Sequence, residues 1–154
     1  MMPFILFPEY DWSIYLDGSL QIKRDMESFV VRYAKESGMI CFPHHESKTF
    51  EDEIGLILSN VRANKEELLS QVKRYREQGY LGDYGFIEAG CLVREHNDNE
   101  LKKVMDDWWH EYISYNHGRD QMSFGYACWK NNYKYDLCDL IISRNEWLEN
   151  NEHI

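Results

Sequence analysis

Residues 12–42 read WSIYLDGSLQIKRDMESFVVRYAKESGMICF, and this stretch decides the fold class. Its first part alternates β-forming residues up to Asp17 and Gly18, which predicts a strand that ends in a tight turn. A helical period follows and ends at Gly38, and MICF at 39–42 predicts a short buried strand. This β-α-β succession favours an α/β fold over a helical bundle.

The middle of the chain predicts two helices and another strand. Thr49 with Asp52 forms a capping-box pattern ahead of an apolar face, and Asn64 with Glu67 repeats the pattern for a second helix. We expect these two helices to form a hairpin. FIEAGCLVRE, at residues 86–95, then has the composition of a strand.

Two more helices follow this strand. The first has the clearest amphipathic period, from a cap at Asn97 to Gly118, and the second begins at or near Arg119. The second is apolar almost all round, which predicts that it is buried. Residues 145–154 are expected to fray. Because the sequence has no internal repeat and no linker, we predict a single domain over residues 1–154.

The composition limits what the chain can bind and where it works. A net charge of −10 argues against a nucleic-acid partner, because such affinity depends on Lys and Arg side chains that neutralise phosphates. The opening residues lack a basic region and a cleavage site, and no apolar run is long enough to span a membrane. The cysteines form no CxxC pair and indicate buried, reduced thiols of a cytoplasmic protein. They are Cys41, Cys91, Cys128 and Cys138.

Two strand ends carry candidate metal ligands. Asp17 follows the first strand, at the sheet edge where α/β folds bind ligands, and a carboxylate there suits Mg²⁺ or Mn²⁺. Its alternative is a residue that serves only the turn. His44 and His45 follow the next strand, and a neutral imidazole could complete a metal site with Asp17. Two adjacent histidines on an extended segment should point in different directions, so one of them should face solvent.

Two further groups could contact a substrate. Arg94 and His96 end the strand at 86–95 beside a helix start, where a guanidinium and free N–H groups could bind an anion or sugar hydroxyls. A salt bridge from Arg94 to a surface carboxylate is the alternative. Adjacent Trp108 and Trp109 cannot share a direction, so one should be in the core and the other could stack on a sugar, unless both only pack. Glu111, on the polar flank, is a candidate carboxylate or is simply solvated.

Arg119, Asp120 and Gln121 stand at the start of the helix that should be buried. Asp120 is favourable there as a cap and for the helix dipole. Arg119 and Gln121 have no such reason, and an unpaired buried charge costs several kcal/mol. The triplet therefore predicts either a satisfied polar network or a ligand site.

Six motifs, in order, resemble a glycosyltransferase-like family of bacterial polysaccharide-synthesis loci and plant Golgi proteins, long known only as a domain of unknown function. The likeness runs from about residue 10 to about residue 140. Its most specific elements are Arg-x-His-Asn at 94–97, Trp-Trp-x-Glu at 108–111 and Arg-Asp-Gln-x-Ser-Phe at 119–124. The six motifs are SIYLDGSLQI, CFPHHESKTFEDEI, YREQGY, EAGCLVREHN, MDDWWHEYIS and RDQMSFGYACWK.

The resemblance implies a GT-A-like, partly Rossmann-like α/β sandwich with a short mixed sheet flanked by helices. It implies transfer of a sugar from a nucleotide-sugar donor to a saccharide acceptor with Mn²⁺ or Mg²⁺. Asp17 matches the acidic metal-binding motif, with Ser19 where the second carboxylate is usual, and His44 matches the histidine after the next strand. Asp120 is the first candidate for the carboxylate that orients or deprotonates the acceptor hydroxyl, and Glu111 is the second. The resemblance assigns the binding of substrate oxygens to Arg94, His96, Arg119 and Gln121. It assigns stacking on the sugar ring to one of Trp108 and Trp109.

The resemblance also implies β-α-β units ahead of the metal-motif strand that grip the nucleotide, whereas sixteen residues precede Asp17 here. We therefore expect the C-terminal half of a longer or split enzyme, or a reduced form whose nucleotide binding is supplied by a partner chain or oligomer. The competing interpretation is a non-catalytic carbohydrate-binding or partner subunit. A third class, a metal-dependent hydrolase, would need more clustered His and Asp residues.

Overall fold

A four-stranded mixed sheet forms the centre of the protein. The computed structural model describes residues 3–60, 64–115 and 118–151. In chain order the elements are α1 (Pro3–Leu6), β1 (Ser13–Leu16), β2 (Leu20–Ile22), α2 (Glu27–Tyr33), β3 (Met39–Pro43), α3 (Phe50–Ser59), α4 (Lys65–Glu77), β4 (Ile87–Arg94), α5 (Asn99–Ser114), α6 (Gln121–Lys130), β5 (Asp136–Leu137) and β6 (Leu148–Asn150).

The order of the strands makes the sheet mixed. It is β1-β4-β3-β5, with β4 antiparallel to both of its neighbours and β5 parallel to β3. Strands β2 and β6 form a separate antiparallel pair. β1 and β3 run in the same direction, as the β-α-β pattern predicts, but β4 lies between them. The predicted α/β fold with a short mixed sheet flanked by helices is confirmed.

A core packs against each face of the sheet, and the side chains of a strand alternate between the two faces. On β3, Met39 and Cys41 pack in the core beneath α5 and α6, together with Phe124. Ile40 and Phe42 point to the other face, where they pack with α2. A third core lies between α3, α4 and α6. Helix α6 is buried from Met122 to Cys128, in agreement with its apolar sequence.

The predicted helix starts are mostly confirmed. The Thr49 hydroxyl accepts the N–H of Asp52 (3.1 Å), while Asp52 Oδ2 accepts the N–H of Thr49 (2.9 Å). The Asn64 side chain caps α4 by accepting the N–H of Glu67 (3.4 Å). Helix α5 is capped by Asp98 instead of Asn97, since the Asn97 amide donates to backbone carbonyls of the N-terminal segment. It ends at Ser114, short of the predicted Gly118.

The predicted fraying of residues 145–154 is wrong for the part that the structure describes. Residues Leu148–Asn150 form β6, and Trp147 is 3 % exposed. The Trp147 ring packs edge-on against Phe29 at 5.4 Å, and its Nε1 donates to Ser28 Oγ (2.8 Å). Trp147 and Leu148, two large apolar side chains in a polar segment, therefore anchor it to the core beside α2. Residues 152–154 lie outside the described ranges.

The cysteines are buried free thiols, as the sequence predicts. Burial raises the pKa of Cys91 to about 12 and that of Cys138 to about 11. None of the helices in the described ranges combines the length and the apolarity that a membrane span needs.

Candidate functional site

The candidate site is a cleft whose floor is one face of β1 and β4. Because side chains alternate along a strand, residues two apart share a face. Helices α5 and α6 supply the opposite wall. The floor consists of Tyr15 on β1, Asp17 directly after it, and Glu88, Ala89, Gly90, Leu92 and Arg94 on β4, where a β-bulge between Glu88 and Leu92 interrupts the alternation.

Neighbouring groups hold Asp17 at the edge of this floor. Its N–H donates to the carbonyl of Gly90 (2.8 Å), and the Tyr15 hydroxyl donates to its Oδ1 (2.7 Å). That hydrogen bond, together with burial, raises the pKa of Tyr15 to about 12. A Cβ atom at position 90 would lie 3.1 Å from Asp17 Oδ2, so the carboxylate lies close above Gly90. The glycine makes room for the carboxylate.

One half of the cleft is a pocket of about 490 Å³, which we call the acidic pocket. Three carboxylates line it: Asp17 from the end of β1, Glu88 from β4 and Asp120 from the start of α6. Carboxylate oxygens are suitable ligands for a hard cation and suitable partners for hydroxyl groups. Its other polar residues are Ser19, His45, Gln121, Ser143 and Asn150.

Asp120 is the N-cap of α6 and a partly buried acid. Its Oδ1 accepts the N–H of Gln121 (2.9 Å). Burial raises the pKa of its carboxyl, the hydrogen bond from Gln121 opposes the rise, and the nearby charge of Asp17 adds to it. The carbonyl of Asp120 accepts the indole N–H of Trp108 (2.7 Å), which ties the start of α6 to α5. A positioned carboxyl with a raised pKa is suited to general acid-base chemistry.

A carboxylate-imidazole pair closes one side of the acidic pocket. His45 is exposed, and its Nδ1 donates a hydrogen bond to Glu88 Oε1. The ring of His44 stacks on that of His45 at 5.3 Å, so the two side chains lie parallel although one is buried and the other exposed. The prediction that one histidine faces solvent is confirmed, but the prediction that the two point in different directions is wrong, since both rings lie beside Glu88.

His44 does not line the acidic pocket with Asp17. Within the described ranges, His44, His45 and Glu88 are the one group of three potential ligands whose atoms lie within 4.8 Å of one another. However, His44 Nδ1 accepts the N–H of Ser47 (2.8 Å), so the proton of the neutral ring is on Nε2. Nε2 faces Glu88 at 3.9 Å and, while it is protonated, has no lone pair for a metal. The geometry therefore favours a hydrogen-bonded cluster.

The other half of the cleft is a cavity of about 250 Å³, which we call the aromatic pocket. Trp108 is nearly buried and packs edge-on against Phe124, whereas Trp109 is 45 % exposed and lies against Tyr112. Both tryptophans line the pocket, although only one was expected to. The two pockets share Tyr15, Ala89 and Asp120, so they adjoin.

Arg94 contributes a buried cation to the aromatic pocket. The residue is 3 % exposed, and its Nη1 donates to the sulfur of Met105 at 3.9 Å. Its Nε has no hydrogen-bond partner within the described part of the chain, where no carboxylate lies within 4 Å of the guanidinium either. Burial lowers the pKa of Arg94, but arginine stays charged at neutral pH. The predicted alternative of a salt bridge is therefore not seen among the described residues.

The model of a protein family described as TOD1/MUCI70, glycosyltransferase-like domain, matches residues 1–146. The chain belongs to this family. The match covers the whole aromatic pocket and all three carboxylates of the acidic pocket. Neither the curated proteins nor the solved structures contain a match. Membership of the family confirms the resemblance that the ordered motifs indicated, and it gives the protein a glycosyltransferase-like role.

Three residues of the family's motifs lie away from both pockets. His96 is buried, and its Nε2 donates to the carbonyl of Phe7 (2.9 Å), so it holds the N-terminal segment. Glu111 is buried in an ion pair with Arg74 and accepts the hydroxyl of Tyr75 (3.0 Å). Arg119 is exposed, contrary to the expected burial of the whole triplet.

Gln121 lines the acidic pocket, and its side-chain amide donates to the carbonyl of Ile87 (3.3 Å). Glu88 is the residue that the sequence analysis missed. Alternation along β4 gives no signal for it, because a β-bulge between Glu88 and Leu92 shifts the register, so that Ile87 and Leu92, five residues apart, pack in the same core. His45 was considered together with His44, but only His44 was assigned to the site, whereas His45 is the one that lines the acidic pocket.

Proposed function

We propose that this glycosyltransferase-like domain transfers a sugar from a nucleotide-sugar donor to a saccharide acceptor in the synthesis of a surface polysaccharide or glycan. The observation that supports this function best is the junction of the two pockets at Asp120. A pocket rich in carboxylates adjoins a pocket lined by tryptophans, and glycosyl transfer needs both acid-base groups and a surface for a sugar ring.

Asp120 acts on the acceptor hydroxyl in this proposal. It lines both pockets, so a sugar in the aromatic pocket presents its hydroxyls to this carboxylate. Its raised pKa makes its carboxylate a better proton acceptor than that of an ordinary aspartate. The partly exposed Trp109 binds the ring by stacking, and Trp108 forms part of the apolar wall beside it.

The acidic pocket suits the hard cation that the fold family implies. Mg²⁺ and Mn²⁺ need only one or two protein carboxylates and fill their other positions with water and phosphate oxygens. Asp17 and Glu88 provide such carboxylates, and Ser19 adds a hydroxyl where the usual motif has a second acid. When bound, the cation would neutralise the charge of the departing diphosphate. His44 has no part in this site, because its Nδ1 is occupied by the N–H of Ser47.

Donor hydrolysis tests the proposal. The protein is incubated with a panel of nucleotide-sugars, with and without Mn²⁺, and release of the nucleotide is measured. We expect the protein to hydrolyse one donor. The same donor should raise the melting temperature of the protein, since a ligand at a hundred times its Kd adds about 2.7 kcal/mol to the free energy of unfolding. Asp120→Asn should lower the rate of transfer to an acceptor by at least about a hundredfold.

The matched control for Asp120→Asn is Asp106→Asn on the exposed face of α5. Asparagine is as good an N-cap as aspartate, so neither variant should change the melting temperature by more than about 2 °C. If no nucleotide-sugar binds or is hydrolysed while glycans still bind, the enzyme reading fails. The protein is then a carbohydrate-binding or partner subunit, a role that the aromatic pocket could perform without a donor.

A further inference from the structure

The aromatic pocket contains a buried charge for which the described part of the chain provides no counter-ion. Arg94 is 3 % exposed, and its Nε is buried without a hydrogen-bond partner. Leaving one partner of a buried ion pair alone is strongly destabilising, which is why buried arginines are normally paired. An unpaired guanidinium in the wall of a cavity is therefore the signature of a binding site for an anion.

The rest of the wall restricts what can carry the anion. Seven of the nine residues around the cavity have no formal charge, and they include Trp108, Trp109 and Tyr112. Aromatic faces of this kind bind flat, partly apolar groups such as the C–H face of a sugar ring. The volume of about 250 Å³ is below the range of roughly 300 to 1,000 Å³ for drug-sized ligands. The cavity therefore suits a single ring with its substituents.

We propose that the aromatic pocket binds a saccharide unit that carries an oxyanion, a carboxylate or a phosphate, and that Arg94 pairs with that oxyanion. The planar guanidinium can donate two parallel hydrogen bonds to either group, whereas a neutral sugar would leave the buried cation unpaired. This proposal rests on the proposed function for the role of the sugar as acceptor.

The pairing also orients the acceptor. Arg94 and Asp120 are the two charged residues in the wall of the pocket, and they have opposite signs. An anionic substituent is attracted by Arg94 and repelled by Asp120, so the opposite side of the ring presents its hydroxyls to the carboxylate. The charges of the pocket thus select both the class of sugar and the direction in which it enters.

Calorimetric titration with three sugars tests the proposal. The probes are methyl glucuronide, glucose 6-phosphate and methyl glucoside, which carry a carboxylate, a phosphate and no charge. We expect at least one anionic sugar to bind about tenfold or more tightly than the neutral one, as for a hydrogen bond to a charged group. The preferred anion then identifies which oxyanion the site takes.

Variants at position 94 assign the preference. Arg94→Met keeps an apolar side chain in the strand and should abolish the preference, while Arg94→Lys keeps the charge without the fork and should retain only part of it. Arg24→Met removes the same charge from an exposed surface position and should leave the preference unchanged. If Arg94→Met does not fold, the proposal is tested by comparing the preference for anionic sugars of the natural chain with that of Arg94→Lys.

Three results would overturn the proposal: equal affinity for the neutral and both anionic sugars, a preference that survives in Arg94→Met, or no binding by any of the three. Donor hydrolysis uses no acceptor, so it tests the proposed function separately. If the protein hydrolyses its donor but prefers neutral sugars, the proposed function is supported and the proposal of an anionic sugar in the aromatic pocket is refuted.

Discussion

Glu111→Gln should separate a structural carboxylate from a catalytic one. Glu111 is 7 % exposed, pairs with Arg74 and accepts a hydrogen bond from Tyr75. Breaking a fully buried ion pair costs about 3 to 5 kcal/mol, but the Arg74 side chain is 36 % exposed and can recover hydration. The amide oxygen of glutamine can still accept from Tyr75. We therefore expect Glu111→Gln to lower the free energy of unfolding by about 2 kcal/mol, which is typical of the loss of a hydrogen bond to a charged group.

For a chain of this length that loss corresponds to a melting temperature lower by roughly 4 to 8 °C. Thermal and urea unfolding measure it, with Asp106→Asn on the same helix as the control. The rate of glycosyl transfer per folded molecule should stay within about twofold of the natural chain, because Glu111 lines neither pocket. An unchanged melting temperature together with a large loss of rate would refute this reasoning and return Glu111 to the catalytic site.

Two further predictions concern the pH dependence and the C-terminal segment. The rate of transfer should fall at acid pH, as Asp120 takes up a proton. The midpoint of the fall should lie above the value of 3.8 for an ordinary aspartate, because burial raises the pKa of this carboxyl. A profile of rate against pH measures the midpoint, and the fall should be absent from the profile of Asp120→Asn. Trp147→Ala should lower the free energy of unfolding by about 3 to 5 kcal/mol in urea titration, since the ring is buried against Phe29, whereas a frayed segment would show almost no change.

The local signals in the sequence were sufficient for the secondary structure and for part of the cleft. Capping patterns located α3 and α4 because a cap is a contact between residues three apart. Strand alternation could not have placed Glu88 relative to Arg94, because a β-bulge between Glu88 and Leu92 shifts the register. The position of β4 between β1 and β3 could not be predicted, since strand order depends on contacts across the whole chain.

The motifs predicted the cleft less well, because neighbours in sequence diverge in space. In Arg-x-His-Asn, Arg94 faces the aromatic pocket while His96 and Asn97 bind backbone carbonyls of the N-terminal segment. His96 and Asn97 therefore have a structural role, and nothing in the local sequence distinguishes such residues from residues that bind a ligand. The polar segment at 145–150 misled for the opposite reason, because the burial of Trp147 depends on α2, more than a hundred residues away.

The two pockets are coupled through Trp108, and this makes Asp120 more than a helix cap. The indole N–H of Trp108 donates to the carbonyl of Asp120, and its ring lines the aromatic pocket. A side chain in the wall of the aromatic pocket therefore also fixes the N-cap residue of α6, whose carboxylate lines the acidic pocket. Because α6 is buried along most of its length, its start cannot shift without disturbing the core. The position of the carboxylate relative to the aromatic pocket is thus set by the packing of the fold.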